Sequence, residues 1–317
     1  MPRAPKPTAV VALCGGVGGA KLADGLARVI RSDELTIVVN TGDDFRHLGL
    51  WISPDIDSVL YALAGLSDPV RGWGRRDETW SFMAALRQLQ GPGWFQLGDA
   101  DLATHVERTY RLAQGESLSA VTARFAHVLG ILARVLPMSD DPVSTQLLTD
   151  EGWLEFQDYF VHRQCRPRLE RIEFRDAETA RAQPAAVAAL RREDLRAIVI
   201  CPSNPFVSIE PILAIPAFRD ALRERRVPAI AVTPIIGGRA VKGPAAKMLS
   251  ELGLEVSGLS VARRYAGLID AFVLDHTDPP AVPVPGITVS HVPTLMQSLE
   301  DREQLAHAVL ALADALR

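Results

Sequence analysis

Residues 9–40, AVVALCGGVGGAKLADGLARVIRSDELTIVVN, decide the architecture. AVVALC is an unbroken apolar run that ends in glycines, which predicts a strand buried on both faces. From Ala20 onward, apolar residues recur at 20, 22, 23, 26, 27, 29 and 30, the spacing of one helix face. LTIVVN at 35–40 reads as the next strand. Strand, glycine-rich turn, helix and strand in that order call for a parallel sheet with a right-handed crossover. The same grammar returns in LRAIVICPSNP (195–205), VPAIAVTPII (227–236) and AFVLDH (271–276). Helices are expected at PAFRDALRERR and at AAKMLSELG, the second closed by Gly253. The expected fold class is α/β: a Rossmann-like, doubly wound, mostly parallel sheet built from 9–76 and 146–300. ETWSFMAALRQLQ, LATHVERTYRLAQG and SAVTARFAHVLGILARV predict a helix-rich insertion over 77–145, and WLEFQDYFVHRQC carries strand-like pieces. Residues 301–317 read as an amphipathic C-terminal helix that packs on the core.

Bulk properties narrow the function classes. The 317 residues are 48% hydrophobic and 23% charged, enough for a large core without long disordered tracts. A net charge of -4 with no concentrated basic stripe argues against a nucleic-acid partner. RERR at 223–226 reads as a solvated helix face. Cys14, Cys165 and Cys201 are far apart in sequence and form no CxxC pair, so neither a zinc site nor a disulfide framework is expected. MPRAPKPTAV lacks a signal-peptide core, and no run of 18 apolar residues offers a membrane span. A cytoplasmic protein without a membrane partner is the expectation.

GGVGGAK (15–21) fits two familiar phosphate motifs poorly. A P-loop needs Gly before the Lys and Ser or Thr after it, where Ala20 and Leu22 stand. A dinucleotide fingerprint from Gly16 needs a small residue at Lys21 and an acid at the end of the second strand, where Asn40 stands. The turn still suits a ligand. Glycines let the backbone approach closely, and a helix N-terminus presents free N–H groups. The bland alternative is a tight turn with no ligand.

The second strand runs into NTGDD, and Asp43, Asp44, Asp55 and Asp57 follow within fifteen positions. Strand C-termini in an open parallel sheet form the usual ligand crevice. Two carboxylates about 5 Å apart repel by about 3 kcal/mol at an effective dielectric of about 20, so four together need a counter-charge or must diverge into solvent. An all-oxygen donor set favours Mg²⁺. The competing account has Asp43 capping a turn and Asp55 and Asp57 starting the helix DSVLYALAG. RGWGRRDETW (71–80), LGDADLATH (97–105), LPMSDD (136–141), PSNP (202–205) and GGRAVKGPAAK (237–247) add polar turns, several of them basic. An acid-rich centre flanked by basic turns suits a metal-bridged diphosphate. His47 and His105 lie near these stretches but read as structural histidines.

With GGVGGAK, VVNTGDD, SPDIDSVLYALAG, RGWGRRDETW, FQLGDADLATH, LPMSDD, FQDYFV, CPSNPFVSIEPILAIP and TPIIGGRAVKGPAAKML in order, the chain closely resembles the CofD/FbiA family. These are the 2-phospho-L-lactate transferases of coenzyme F-420 biosynthesis. The resemblance implies a Rossmann-like fold, a homodimer, an Mg²⁺ requirement and a specific reaction. A guanosine diphosphate donor carrying 2-phospholactate or its enolpyruvyl equivalent gives its phospho-acid to the ribityl hydroxyl of the deazaflavin Fo and releases GMP. Asp43 and Asp57 are the leading candidates for metal ligand or base, with Asp44 and Asp55 behind them. Gly16, Gly18, Gly19 and Lys21 are expected at the phosphates, and Arg75 and Arg76 among the basic substrate contacts. Ser203 and Asn204 are expected on the guanosine side with Lys242. Asn40, Thr41, Met138, Ser139 and Asp140 are expected around the deazaflavin. Two alternatives stay open: a donor built on 3-phosphoglycerate, and a regulatory nucleotide-sugar binder of the YvcK type. A nicotinamide dehydrogenase ranks below both.

Overall fold

A computed structural model describes residues 7–280 and 282–317; the basic residues 1–6 of the N-terminus lie outside them. Seven strands form the central sheet: β1 (Ala9–Cys14), β2 (Leu35–Val39), β3 (Arg134–Pro137), β4 (Leu195–Ile200), β5 (Ala229–Val232), β6 (Ala271–Asp275) and β7 (Thr288–Val292). Their order is β7-β6-β5-β4-β1-β2-β3, and every neighbouring pair is parallel. The chain winds outward from β1 to β3, returns to lay β4 beside β1, and winds outward again to β7. The reversal lies between β1 and β4, so a crevice opens at their C-terminal ends.

Alternation along β1 assigns the two faces of the sheet. Val10, Ala12 and Cys14 pack with Leu22, Ala23 and Leu26 of α1 (Gly16–Val29) and with Ile56, Val59 and Leu60 of α2 (Pro54–Leu63). The C-terminal helix Leu299–Ala315 completes this layer with Leu305, Val309 and Leu310. Its start carries a reciprocal cap, with Ser298 and Asp301 each satisfying the other's backbone N–H. Ala9, Val11 and Leu13 face the opposite layer, which includes Phe206, Ile212, Phe218 and Met248. Each fully buried Leu or Phe contributes about 1.5–3 kcal/mol.

Two expectations shift. Helix α1 begins at Gly16, one turn before the apolar periodicity starts at Ala20. Gly18 and Gly19 belong to the helix, so the tight approach is made by a helical first turn rather than by a loop before it. Within the 77–145 span, α3 (Ser81–Gln88), α4 (Asp99–Ala113) and α5 (Leu118–Val128) are helical, but Arg134–Pro137 is the edge strand β3. The expected helical run through ILARV stops because Gly130 turns the chain at φ 72°. Between β3 and β4, Ser144–Thr149 pairs antiparallel with Gly152–Glu155 and with Leu169–Arg175. WLEFQDYFVHRQC thus begins in a strand and continues into a π-helical turn at Asp158–His162. Among the described residues no helix is long and apolar enough to cross a membrane.

Candidate active site

The glycine turn sits directly over the switch point. Gly15 N donates to Ser203 Oγ at 3.1 Å, and Ser203 Oγ donates to Gly15 O at 2.9 Å, which ties the end of β1 to the loop after β4. Gly16 N donates to Asp55 Oδ1 at 2.6 Å. A side chain on Gly15 would run into the Asp55 carboxylate, and one on Gly19 into the Ser203 hydroxyl. On Gly18, a Cβ would sit 2.5 Å from the backbone carbonyl oxygen of Pro202, which cannot rotate away. Gly18→Ala should therefore push the first turn of α1 off the Pro202 loop and cost about 1–3 kcal/mol of stability. A chemical melt checks this; an unchanged midpoint would mean that the turn has slack.

The four aspartates separate into different environments. Asp43 is buried, with Asn40 Nδ2 2.9 Å from Oδ1 and Gln157 Nε2 3.0 Å from Oδ2. Both partners are neutral amides. Burial, then the neighbouring Asp55 and Asp44, push its pKa well above the usual carboxylate range. Asp55 accepts from Gly16 N and, at 2.9 Å, from Asn40 Nδ2; burial lifts it to about 6. Asp44 accepts from Ser53 Oγ at 2.6 Å and Trp51 Nε1 at 3.2 Å through one oxygen, while Oδ1 is buried with no partner. Burial raises the Asp44 pKa from 3.8 to about 8.

Because the folded pKa of Asp44 exceeds the unfolded one, the folded state binds this proton more tightly. Its contribution to stability is complete below the unfolded pKa and is lost as pH rises toward about 8. Asp44→Asn removes that titration. Its melting temperature relative to wild type should rise between pH 5 and pH 9 in melts run with chelator, and a pH-independent difference would refute the assignment.

Asp57 has a charged partner. Both terminal nitrogens of the fully buried Arg108 grip its carboxylate, Nη1 to Oδ2 at 3.1 Å and Nη2 to Oδ1. Arg108 Nη1 lies 3.3 Å from His105 Nδ1, His105 Nε2 lies 3.3 Å from Asp101 Oδ2, and Tyr61 Oη donates to Asp101 Oδ1 at 2.6 Å. This chain of groups joins α2 to α4. Asp57, Asp101 and His105 present ligand atoms within 4.8 Å of one another, a donor set that would suit a metal. The arginine already occupies that position with positive charge, so a cation there would be opposed. Of the two leading candidates for metal ligand or base, Asp57 is paired with a guanidinium and Asp43 is not.

A cavity of about 590 Å³ opens at the switch point. Gly16, Gly18, Lys21, Asp43, Asp55, Asp57, Ser203, Asn204 and Lys242 line it, so nine of the expected residues converge. Lys21 Nζ donates to Met296 O at 2.6 Å and Lys242 Nζ donates to Gly72 O at 2.7 Å. Burial lowers the pKa of both; for Lys21 the nearby Arg302 and Lys242 lower it further. An anion between them and the N-terminus of α1 would relieve that penalty. Tyr61, Trp73, Phe95, Phe156 and Phe160 supply flat apolar wall, with Phe156 and Phe160 stacked at 5.4 Å.

The other expected residues do not line the cavity. Gly19 is packed under the turn against Ser203 and Cys14. Asn40 is fully buried, and its amide lies within 3.0 Å of Asp43, Asp55 and the Val207 carbonyl, so it organises the acids from behind. Thr41 is buried beside it. Arg75 lies over the Tyr61 ring at 5.4 Å, and Arg76 pairs with Asp77 at 3.6 Å. Met138 is in the core, Ser139 Oγ donates to Arg181 O, and Asp140 binds the start of α5 through Ser119. These three follow β3 on the far edge of the sheet, which carries them away from the crevice.

Sequence reasoning missed Gln157, Arg108 and Asp101, and it named Arg71 only within the basic turn RGWGRRDETW. Asp101 and His105 at i and i+4, with Arg108 a turn later, share one helix face, which was a readable signal. Gln157 had none, because only tertiary packing brings it to Asp43, 114 residues away.

Residues 10–286 match the sequence model of a family described as 2-phospho-L-lactate transferase CofD. The chain belongs to the CofD family. A CofD-family relative from Kitasatospora aureofaciens, named phosphoenolpyruvate transferase, is 42% identical over 97% of this chain and 98% of its own. One from Methanosarcina mazei, named 2-phospho-L-lactate transferase, is 38% identical over 95% of this chain and 99% of its own. Both align nearly end to end, so the CofD chain is a transferase. A crystal structure of a UPF0052-family protein from Bacillus halodurans superposes with a TM-score of 0.61, covering 96% of this chain and 99% of that one. At 15% identity that likeness concerns the fold.

Proposed function

We propose that this CofD-family transferase moves a phosphorylated three-carbon acid from a guanosine diphosphate donor to the ribityl hydroxyl of the deazaflavin Fo, releasing GMP. The acid is 2-phospholactate or its enolpyruvyl equivalent; relatives of similar identity carry both names. One observation carries the reading: a single cavity brings together desolvated carboxylates, two lysines, the first turn of α1 and aromatic wall. That is the arrangement a diphosphate and a planar ring system need together.

The reaction forms a bond between the Fo hydroxyl oxygen and the phosphorus bearing the acid. It breaks the bond from that phosphorus to the bridging oxygen, which departs with GMP. Asp43 takes the hydroxyl proton. Its raised pKa suits a base, and the amides of Asn40 and Gln157 hold both oxygens in place. Lys21, Lys242 and the Gly16–Gly18 backbone hold the diphosphate, and Ser203 keeps the glycine turn in register. Asn204 lies on the guanosine side.

Mg²⁺ fits the Asp43–Asp55 side of the cavity, since these carboxylates crowd one another and, among the described residues, no cationic side chain bonds to either. There it would neutralise charge on the diphosphate. Excess chelator should stop turnover and added Mg²⁺ restore it; full activity in chelator would remove the metal from the reaction.

Incubation with Fo, Mg²⁺ and each guanosine donor tests the whole reading. A product heavier than Fo by the phospho-acid supports it and its mass identifies the acid, including 3-phosphoglycerate. No product with any donor would favour a binding protein.

A further inference from the structure

Among the described residues, three lysine or arginine side chains line the cavity: Lys21, Lys242 and Arg71. The two lysines donate to backbone carbonyls, Lys21 to Met296 and Lys242 to Gly72. Arg71 belongs to RGWG, in the loop between α2 and α3, and is held differently. Its Nε donates to Asp68 Oδ2 at 2.8 Å, and Nη2 lies 3.4 Å from Arg75 O. Its guanidinium lies over the Trp80 ring at 4.6 Å and near Trp73 at 5.7 Å. Asp68 also accepts from the backbone N–H of Val70 and Arg71, at 2.8 and 3.0 Å, so one carboxylate fixes both the loop and the side chain. Among the described residues nothing bonds to Nη1. The arginine is therefore oriented by its neighbours on one edge and one face, with its remaining edge unused.

We infer that Arg71 recognises the carboxylate of the donor's three-carbon acid and so selects acid-bearing donors over guanosine diphosphates without one. The assignment rests on the proposed donor. That donor carries three anionic groups, two phosphates and one carboxylate, and the cavity offers three cations. A guanidinium fork matches a planar carboxylate through two parallel hydrogen bonds, whereas an ammonium is a point charge suited to phosphate oxygens. Gly72, the next residue, accepts from Lys242 Nζ, so the carboxylate and phosphate positions are adjacent. Pinning by Asp68 and Trp80 means that little side-chain freedom remains to be lost on binding.

The test is calorimetric binding of two synthetic compounds: guanosine diphosphate esterified through its terminal phosphate to the 2-hydroxyl of lactate, and its carboxamide counterpart. Wild type should bind the acid about 10–100-fold more tightly than the amide, as expected for charge-assisted hydrogen bonds. Arg71→Met should bind both within about 3-fold of each other and match wild type on the amide. Arg71→Lys should keep part of the preference, and it decides the matter alone if Arg71→Met melts early. Arg71→Met protein that retains the full preference overturns the inference and leaves the donor reading standing. Wild type that binds both compounds equally also overturns it. Wild type that binds neither overturns the donor reading, and the role of Arg71 with it.

Discussion

Asp43→Asn protein should fold as wild type does and lose transfer by about 10²–10⁴-fold, the range for removal of a general base. The fold should survive because the substitution relieves stress. The carboxylate is desolvated, has Asp55 and Asp44 beside it, and touches only neutral amides. An asparagine keeps the shape and one acceptor, and Gln157 can turn its amide to meet the new donor. The pH dependence follows from the same environment: with a raised pKa, Asp43 is protonated on the acidic side, so wild-type turnover should fall as pH drops. Steady-state rates with Fo and the guanosine donor, alongside a thermal melt, measure both quantities. Asp43→Asn protein that turns over like wild type would take the base away from this position.

Asp57→Asn should do the opposite, failing first in stability. Removing one partner of a buried ion pair leaves the other charged and unsolvated, which costs about 3–5 kcal/mol. Arg108 is fully buried and has no solvent to turn to. It also contacts His105, which faces Asp101, so the damage should extend along the joint between α2 and α4. Joint replacement of Asp57 and Arg108 by apolar residues of similar volume should recover much of the loss, since the orphaned charge disappears. Denaturant unfolding of the two single variants and the double variant gives the coupling directly. If Asp57 were instead a metal ligand, Asp57→Asn would abolish activity with an unchanged melt, and the two accounts separate on that measurement.

These two aspartates look alike in sequence, fourteen residues apart after the same strand, and the contrast shows where sequence reading stops. The strand rules held. Apolar runs at 9–14, 35–39 and 195–200 became adjacent parallel strands because continuous burial on both faces suits only the middle of such a sheet. The glycines marked a close approach, and the polar ends of β2 and β4 marked the crevice. The start of α1 was misplaced because glycine's weak helix preference hid a first turn that the Pro202 loop and Ser203 require to be bare. Met138, Ser139 and Asp140 stay off the cavity lining: LPMSDD resembles a site turn, but β3 lies two strands away from the switch point.

From its sequence alone, the chain determined the alternation of strands and helices, the glycine turn and the density of acids and bases near strand ends. Hydrophobic period and backbone freedom are local properties, and they are written residue by residue. Only the tertiary structure decided which carboxylate is paired with an arginine and which meets neutral amides. That depends on Arg108 reaching Asp57 across 51 positions and on Gln157 reaching Asp43 across 114. A charge's chemistry is set by the dielectric and the partners around it, and those come from segments that meet only after folding.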